Sequence, residues 1–516
     1  MTLRKRALLL VMAIAICGLL VLEQCSALPS IENRTRSTAF PDTRSTRLGR
    51  TISPLVSAHA PHSGIYPLLD ARDAFAARVR LAETADRSLD VQYYIWHKDM
   101  SGTLLLDALR AAAVRGVRVR LLLDDNNTAG LDATLAALDA HPNIEVRLFN
   151  PFVIRRVRPI GYLTDFSRLN RRMHNKSFTA DNQATIIGGR NVGDEYFGAT
   201  DDVLFADLDV LAVGPVVREV SADFDRYWAS GSSYPLDRLV PAASADALAQ
   251  FAAEAREISE SPAAVAYRNA LAASSFVRQI NDRTLPLEWV ATRMISDNPV
   301  KALGRSAPEG LLIEQLRAIF GVPQKRLDLV SPYFVPGTTG VELFSGWAKQ
   351  GVAVRVLTNS LEATDVPAVH AGYAKRRAAL LAGGIRLFEL RRASGTAQRR
   401  AAGSMGSSGS SLHAKTFAVD GSRVFIGSFN FDPRSASLNT EMGFVIESAD
   451  LARGIARVFD ERIPTDAYEV RLSGDRLQWV ESRQGRLVQH DEEPGGSAWL
   501  RAGVWLLSHL PIEWLL

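Results

Sequence analysis

From Tyr66 onward, stretches whose apolar residues recur every three or four positions alternate with short runs that are apolar almost throughout. The first pattern is that of a helix burying one face, the second that of a strand covered on both sides. The spacing predicts a helix over Leu69–Asp86, a strand over Leu89–Ile95, a helix over Gly102–Arg115 and a strand over Val117–Leu123 that runs into Asp124 and Asp125. A further helix and the strand Ile144–Phe149 follow. Alternation of this kind defines an α/β layer fold.

The second half repeats the first. Leu327 opens a strand that runs to Phe334 and resembles the one at Leu89, and the entry Gly116-Val117-Arg118-Val119 returns as Gly351-Val352-Ala353-Val354. Val146-Arg147-Leu148-Phe149 returns as Ile385-Arg386-Leu387-Phe388, 239 positions later (385 − 146). So long a period indicates two homologous lobes packed face to face rather than a solenoid. The resulting division is a targeting segment at 1–27, a linker at 28–65, a first lobe at 66–240, a helical connecting insert at 241–320, a second lobe at 321–470 and a tail at 471–516.

The targeting segment has Arg4, Lys5 and Arg6 ahead of an apolar run from Ala7 to Leu22, the pattern of a signal peptide or membrane anchor. Neither Cys17 nor Cys25 is preceded by the small residues expected at a lipid attachment site, and two cysteines make no disulfide framework. The tail from Trp499 to Leu516 is rich in Trp and Leu and broken by Pro511, which suits either an interfacial position on a membrane or docking on the protein body. An Arg-rich stretch over 154–172 and an Arg-, Gly- and Ser-rich stretch over 391–411 each precede a motif described next; the former is a candidate to meet anionic lipid headgroups or substrate phosphate, and a solvated surface loop is the alternative for either. A net charge of only +4 argues against a dedicated nucleic-acid binder. Only 8 of the 60 basic residues are Lys, so each lysine draws notice.

Two of those lysines sit in matching motifs. His174, Lys176 and Asp181 are followed by Gly188-Gly189-Arg190-Asn191; His413, Lys415 and Asp420 are followed by Gly427-Ser428-Phe429-Asn430. The histidines are again 239 positions apart (413 − 174). In a strand-like run His and Lys share a face, and the Gly-x-x-Asn that ends the next strand lets backbone and amide approach a phosphate. Phosphodiester exchange needs this set: one neutral imidazole to attack phosphorus, one protonated imidazole to serve the leaving alkoxide, and lysines and amides to meet the non-bridging oxygens. The cations come from side chains, so neither metal nor cofactor is called for. A single His-x-Lys is usually incidental; two complete copies at the lobe offset are not.

These paired motifs resemble the HxKxxxxD motifs of the phospholipase D superfamily, and the resemblance spans roughly Tyr66 to Val470 as two pseudo-symmetric α/β/α lobes with the active site at their interface. More narrowly the chain resembles the bacterial cardiolipin synthases of the C subgroup, through Leu89–Trp96, Asp124–Asn127, Thr164–Lys176, Thr358–Leu361, Val369–Tyr373, Phe429–Ser435 and the ending Leu510–Leu516. The resemblance implies a phosphatidyltransferase at the bacterial inner membrane, with phosphatidylglycerol as acceptor and phosphatidylglycerol or phosphatidylethanolamine as donor. The need for an accessory protein is left open. It also implies a covalent phosphatidyl-histidine, with His174 as nucleophile and His413 as general acid and then base, the exchanged order remaining open by symmetry.

The same resemblance assigns Lys176, Lys415, Asn191, Asn430 and Ser428 to the phosphate. Asp181 and Asp420 complete the catalytic motifs, although their spacing beyond the His-Lys pair suits a structural role. Asp207 and Glu441, on the strand after each motif, are candidates to orient the imidazoles or else loop-anchoring carboxylates. Gly189 departs from the family's serine, which is present as Ser428. His370, with Asp365 and Tyr373 in a subgroup-like segment, either lines a headgroup pocket or packs. The same residues would serve a phospholipase D that hydrolyses to phosphatidic acid; a nuclease would lack the apolar N-terminus and Trp-rich tail; a non-catalytic lipid-binding module would show decay in one motif.

Overall fold

The computed structural model describes residues 27–200, 204–392, 411–483, 485–510 and 513–516. The targeting segment, apart from Ala27, and most of the Arg-, Gly- and Ser-rich stretch before His413 lie outside the described residues. Among the described residues no helix is long and apolar enough to cross a membrane.

Each lobe is built on one mixed sheet. In the first lobe the parallel strands Ser88–Ile95, Arg118–Asn127 and Ile144–Phe149 are joined through the helices Met100–Val114 and Asp132–Asp139. Parallel neighbours need such crossovers, which is why the period switches from apolar runs to helical spacing and back. The strand pair Ser177–Ala180 and Ala184–Gly188 then adds to the other side of Ser88–Ile95, antiparallel, and Asp209–Val213 continues it. The second lobe repeats this order: Arg326–Val330, Ala353–Asn359 and Arg386–Leu390 are parallel, with Lys415–Val419, Arg423–Gly427 and Met442–Ile446 added antiparallel.

The repeat extends to a buried charge pair. Asp90 and Arg120 face each other across the first two parallel strands at 2.7 Å, and Asp328 and Arg355 do so at 2.6 Å in the second lobe. The basic residue in an otherwise apolar strand is therefore an internal pair rather than an exposed edge. One apolar core crosses the lobe boundary, packing Ile187, Val210 and Ala212 with Ala418, Val424 and Ile426.

Three segments differ from expectation. The 28–65 linker contains the helix Arg47–Ala58, capped by Thr46, and its preceding residues strap the first lobe: Arg34 donates to the carbonyls of Ser230 and Ser233, and the Phe40 ring lies under Arg87 and Arg118. A strap bound through polar groups of its host has no core face of its own, so no period marks it. The 241–320 insert has the expected helices, Ala247–Glu260, Pro262–Ala272 and Ser275–Asn281, but continues as Glu288–Val290, on the edge of the first sheet, and Thr292–Ser296, on the edge of the second. These runs are too short to show a period of two. In the tail, Arg476–Arg483 and Arg486–His490 extend the second sheet, so only the part from Ala498 is a separate helix.

Candidate active site

His174 and His413 each lie just before a strand, beginning at Ser177 and Lys415 respectively. Neither is held by its own lobe alone. The His174 amide donates to the carbonyl of Thr440, and the Thr440 amide returns a bond to Arg172, both at 2.9 Å. In the other direction the short strand Ser411–Leu412 pairs in parallel with Phe205–Ala206, and the His413 amide donates to the carbonyl of Ala206 at 2.8 Å.

The side chains follow the same exchange. His174 Nδ1 lies 2.8 Å from Glu441 Oε2, in the second lobe, and His413 Nδ1 lies 2.5 Å from Asp207 Oδ2, in the first. Each imidazole therefore takes its carboxylate from the opposite lobe. Both rings have an aromatic wall, Tyr94 at 4.9 Å from His174 and Tyr196 at 5.2 Å from His413. Lys176 Nζ donates to the carbonyl of His174 at 2.6 Å, and Lys415 Nζ donates to that of His413.

Burying four basic and two acidic groups together shifts every one of them. Burial, aided by Lys176 and Lys415, pushes the His174 imidazole well below its ordinary value. Burial and Lys415 also push His413 down, but Asp207 pulls the other way. For Asp207 burial alone would raise the carboxyl; the charges of His413, Lys415 and Arg190 outweigh it and hold the group well below the usual range. Burial pushes Glu441 up to about 7 against the pull of Lys176. It also pushes Lys176 well down, and Lys415 down to about 8 against the pull of Asp207, Glu441, Asp365 and Asp432. The pseudo-symmetric site is thus electrostatically unequal, with a neutral imidazole favoured at His174 and a firmly ionised partner beside His413.

The remaining motif residues divide. Asp181 accepts from the amides of Asp86, Arg87 and Ser88, and Asp420 from those of Gln324, Lys325 and Arg326. Both carboxylates thus fix the entry to the first parallel strand of their lobe, and neither joins the histidine cluster. This corrects their placement in the catalytic set. Asp181 is fully buried, so Asp181→Ala, which strands three amides, is expected to cost about 2–4 kcal/mol. The more accessible Asp420→Ala should cost less, as the unfolding midpoints of the two variants will show.

Ser428 donates to Glu441 and accepts from the Met442 amide at 3.0 Å, so its hydroxyl holds the carboxylate rather than standing free for phosphate. The Asn191 amide is likewise engaged, with the Ile95 amide at 3.2 Å and Tyr196 Oη at 3.1 Å. Asn430 differs: its buried Oδ1 has no partner among the described residues. Gly189 occupies the position of Ser428, and a Cβ there would fall 2.1 Å from Asp207 Oδ1. The shorter acid of the first lobe takes the room that a serine side chain would need.

Sequence reasoning missed the support behind Glu441. Its amide donates to Asp297 Oδ2, Ser435 Oγ donates to its Oε1, and Asp297 is paired with Lys301 at 2.9 Å, deep in the supposed insert. Lys301 is one of the eight lysines, and that scarcity was the available signal. The Arg-rich stretch proves largely self-neutralised: Arg155 and Arg158 meet Asp125 and Asp132, Arg168 meets Asp165, and Arg172 is buried against Asp124. His370 is packed rather than site-lining, bound to Glu493 and Arg377 in a buried network that also holds Tyr373 through Glu389.

Two lobes that exchange acids across a pair of His-x-Lys motifs define an enzyme of the phospholipase D type. Comparisons agree. The family model described as "Cardiolipin synthase, PLD-like domain" matches residues 79–228 and 316–463, one match per lobe. Cardiolipin synthase C of Escherichia coli is 51% identical over 474 residues, covering 91% of this chain and 100% of that protein. Cardiolipin synthase A of Salmonella arizonae is 24% identical over 418 residues, 80% of this chain and 71% of the relative. The crystal structure of phosphatidylserine synthase from Haemophilus influenzae has the same fold, with a TM-score of 0.53 at 15% identity over 81% of this chain and 92% of that one. The chain belongs to the cardiolipin synthase family of phospholipase D-type phosphatidyltransferases.

Proposed function

We propose that this chain makes cardiolipin by moving a phosphatidyl group to the glycerol hydroxyl of phosphatidylglycerol through a covalent intermediate on His174. The observation that carries the reading is the exchanged and unequal pairing of the histidines. With Nδ1–H donated to Glu441, neutral His174 presents the Nε2 lone pair to phosphorus. His413, whose protonated form is stabilised by ionised Asp207, gives its Nε2 proton to the departing headgroup oxygen as the P–O bond breaks. The neutral His413 then takes the proton of the acceptor hydroxyl, whose oxygen forms the new P–O bond while the P–N bond breaks. In this reading Lys176, Lys415 and Asn430 stabilise the negative oxygens of both transition states.

Lipid substrates put the reaction at a membrane surface, and one side of the molecule suits that position. The tail helix Ala498–Ser508 buries Val504 against Leu361 and Ala371 while Trp499 and Trp505 stay 88% and 64% exposed. Docking on the body and contact with an interface are thus compatible, through different faces of one helix. Arg434 bonds both Asn170 and the carbonyl of Leu515, which brings the chain end beside the helix Gly161–Leu169 with its exposed Leu163 and Phe166. From this helix the chain runs through Asn170 to His174 four residues on.

The test is lipid extraction from a cardiolipin-free bacterial host expressing the chain. Cardiolipin is the expected product, and depletion of labelled phosphatidylethanolamine or phosphatidylglycerol identifies the donor. Phosphatidic acid without cardiolipin would replace this reading with hydrolysis.

A further inference from the structure

Two tyrosines near the centre, Tyr94 in the strand Ser88–Ile95 and Tyr333 three residues past the strand Arg326–Val330, have unlike neighbours. In the first lobe Tyr94, against His174, lies beside the side chain of Asn127, at the end of the strand Arg118–Asn127. In the second lobe Tyr333 donates at 2.7 Å to Asp365 Oδ2. Asp365 lies just past the end of the corresponding strand, Ala353–Asn359. A neutral amide thus stands on the His174 side and a carboxylate on the His413 side. The ends of parallel strands are where open α/β sheets hold their ligands.

Asp365 is placed by the same elements that place His413. Asn359 brackets Leu412 with two hydrogen bonds, at 3.0 and 2.8 Å, one residue before His413. The Asp365 carboxylate is within electrostatic reach of Lys415 and of Tyr196, whose ring stands against His413. It is nonetheless exposed, and its Oδ1 meets no hydrogen-bond donor among the described residues. A negative, half-satisfied acceptor beside a buried phosphate-binding cluster repels phosphate. It suits instead a neutral group carrying hydroxyl donors.

Resting on the transfer reading above, in which His413 serves the alcohol, we propose that Asp365 and Tyr333 form the subsite for the alcohol headgroup, binding a second hydroxyl of a polyol whose first hydroxyl reacts. Asp365 Oδ1 accepts from that hydroxyl, and Tyr333 holds the carboxylate through Oδ2. Two lobes of one ancestry thereby distinguish the alcohol from the phosphatidyl group. Both are specificity-determining residues, and neither is asked to move a proton.

The experiment uses the full chain with phosphatidylglycerol vesicles and measures transfer to radiolabelled glycerol, 1-propanol or ethanolamine. Glycerol should be used about tenfold better than 1-propanol, a difference of one charge-assisted hydrogen bond. In Asp365→Ala the preference should fall to roughly twofold or less through a rise in KM for glycerol, with 1-propanol transfer kept within about threefold as the check on folding. Asp365→Asn, which keeps an acceptor for Tyr333, should lie between. An unchanged glycerol preference in Asp365→Ala overturns the subsite alone. Loss of an ethanolamine preference in place of the glycerol one overturns the polyol assignment in favour of a cation. Transfer to no alcohol by the intact chain overturns the phosphatidyl-transfer reading and the subsite with it.

Discussion

Alanine at His413 is expected to abolish transfer from natural phospholipids, by about 10⁴-fold or more, yet to leave the first half of the reaction intact when the leaving group needs no proton. A phosphatidyl ester of p-nitrophenol is such a donor, since nitrophenolate departs unaided at neutral pH. His413→Ala should release one equivalent of nitrophenolate per enzyme and then stall, because no base activates the acceptor. The stalled protein should carry the phosphatidyl group on His174. His174→Ala should release nothing from either donor. The asymmetry follows from the environments: His174 is driven toward the neutral form by burial and two ammonium groups, whereas His413 faces a carboxylate that remains ionised. A burst from His174→Ala with none from His413→Ala would reverse the order of the two histidines while leaving the pair intact.

The sequence displayed the lobes because a parallel βαβ layer must alternate apolar runs with amphipathic spacing, and because both copies kept their registers. Strands such as Ile144–Phe149 and the ends at Gly188 and Gly427 fall where the pattern places them. His174, Lys176, His413 and Lys415 were equally visible, since their spacing is local. Which carboxylate serves which histidine was not. Asp207 follows His174 by 33 positions yet binds His413, and nothing along the chain records that the carboxylate ahead of each following strand reaches the other lobe's histidine while the strand stays in its own sheet. Ser428 illustrates a second blind spot. A hydroxyl near a phosphate motif reads as a phosphate ligand until the carboxylate that occupies it is seen. The acidic partners of the Arg-rich stretch, Asp125 and Asp132, are about 25 residues away in sequence, so an internally neutralised surface read as a basic one. Asp365 stood in the chain beside His370 in a candidate headgroup segment, and the bond from Tyr333 is what separates it from the packed His370 network.

The inequality of the two acids has a second consequence, for pH. Burial pushes Glu441 up to about 7, so it gains a proton as pH falls through neutrality and ceases to accept fully from His174 Nδ1–H. His174 itself is held well lower and does not set that limb. On the alkaline side His413, itself pushed down by burial and Lys415, loses the proton it gives to the leaving oxygen, and Lys415, pushed down to about 8, then loses its charge. Activity should therefore form a narrow bell with an acid limb near pH 7 and an alkaline limb no higher than about pH 8, each belonging to a coupled cluster rather than a lone group. Glu441→Gln keeps an acceptor for Nδ1–H that does not titrate. It should lose only about tenfold at the optimum and flatten the acid limb while the alkaline limb stays. Asp207→Asn removes the charge that stabilises imidazolium at His413 and should lose about 10³-fold, recoverable with the nitrophenyl donor in the first half-reaction only. An acid limb unmoved in Glu441→Gln would take Glu441 out of the titration, and equal losses in the two variants would mean that the two acids, despite their unlike surroundings, do the same work.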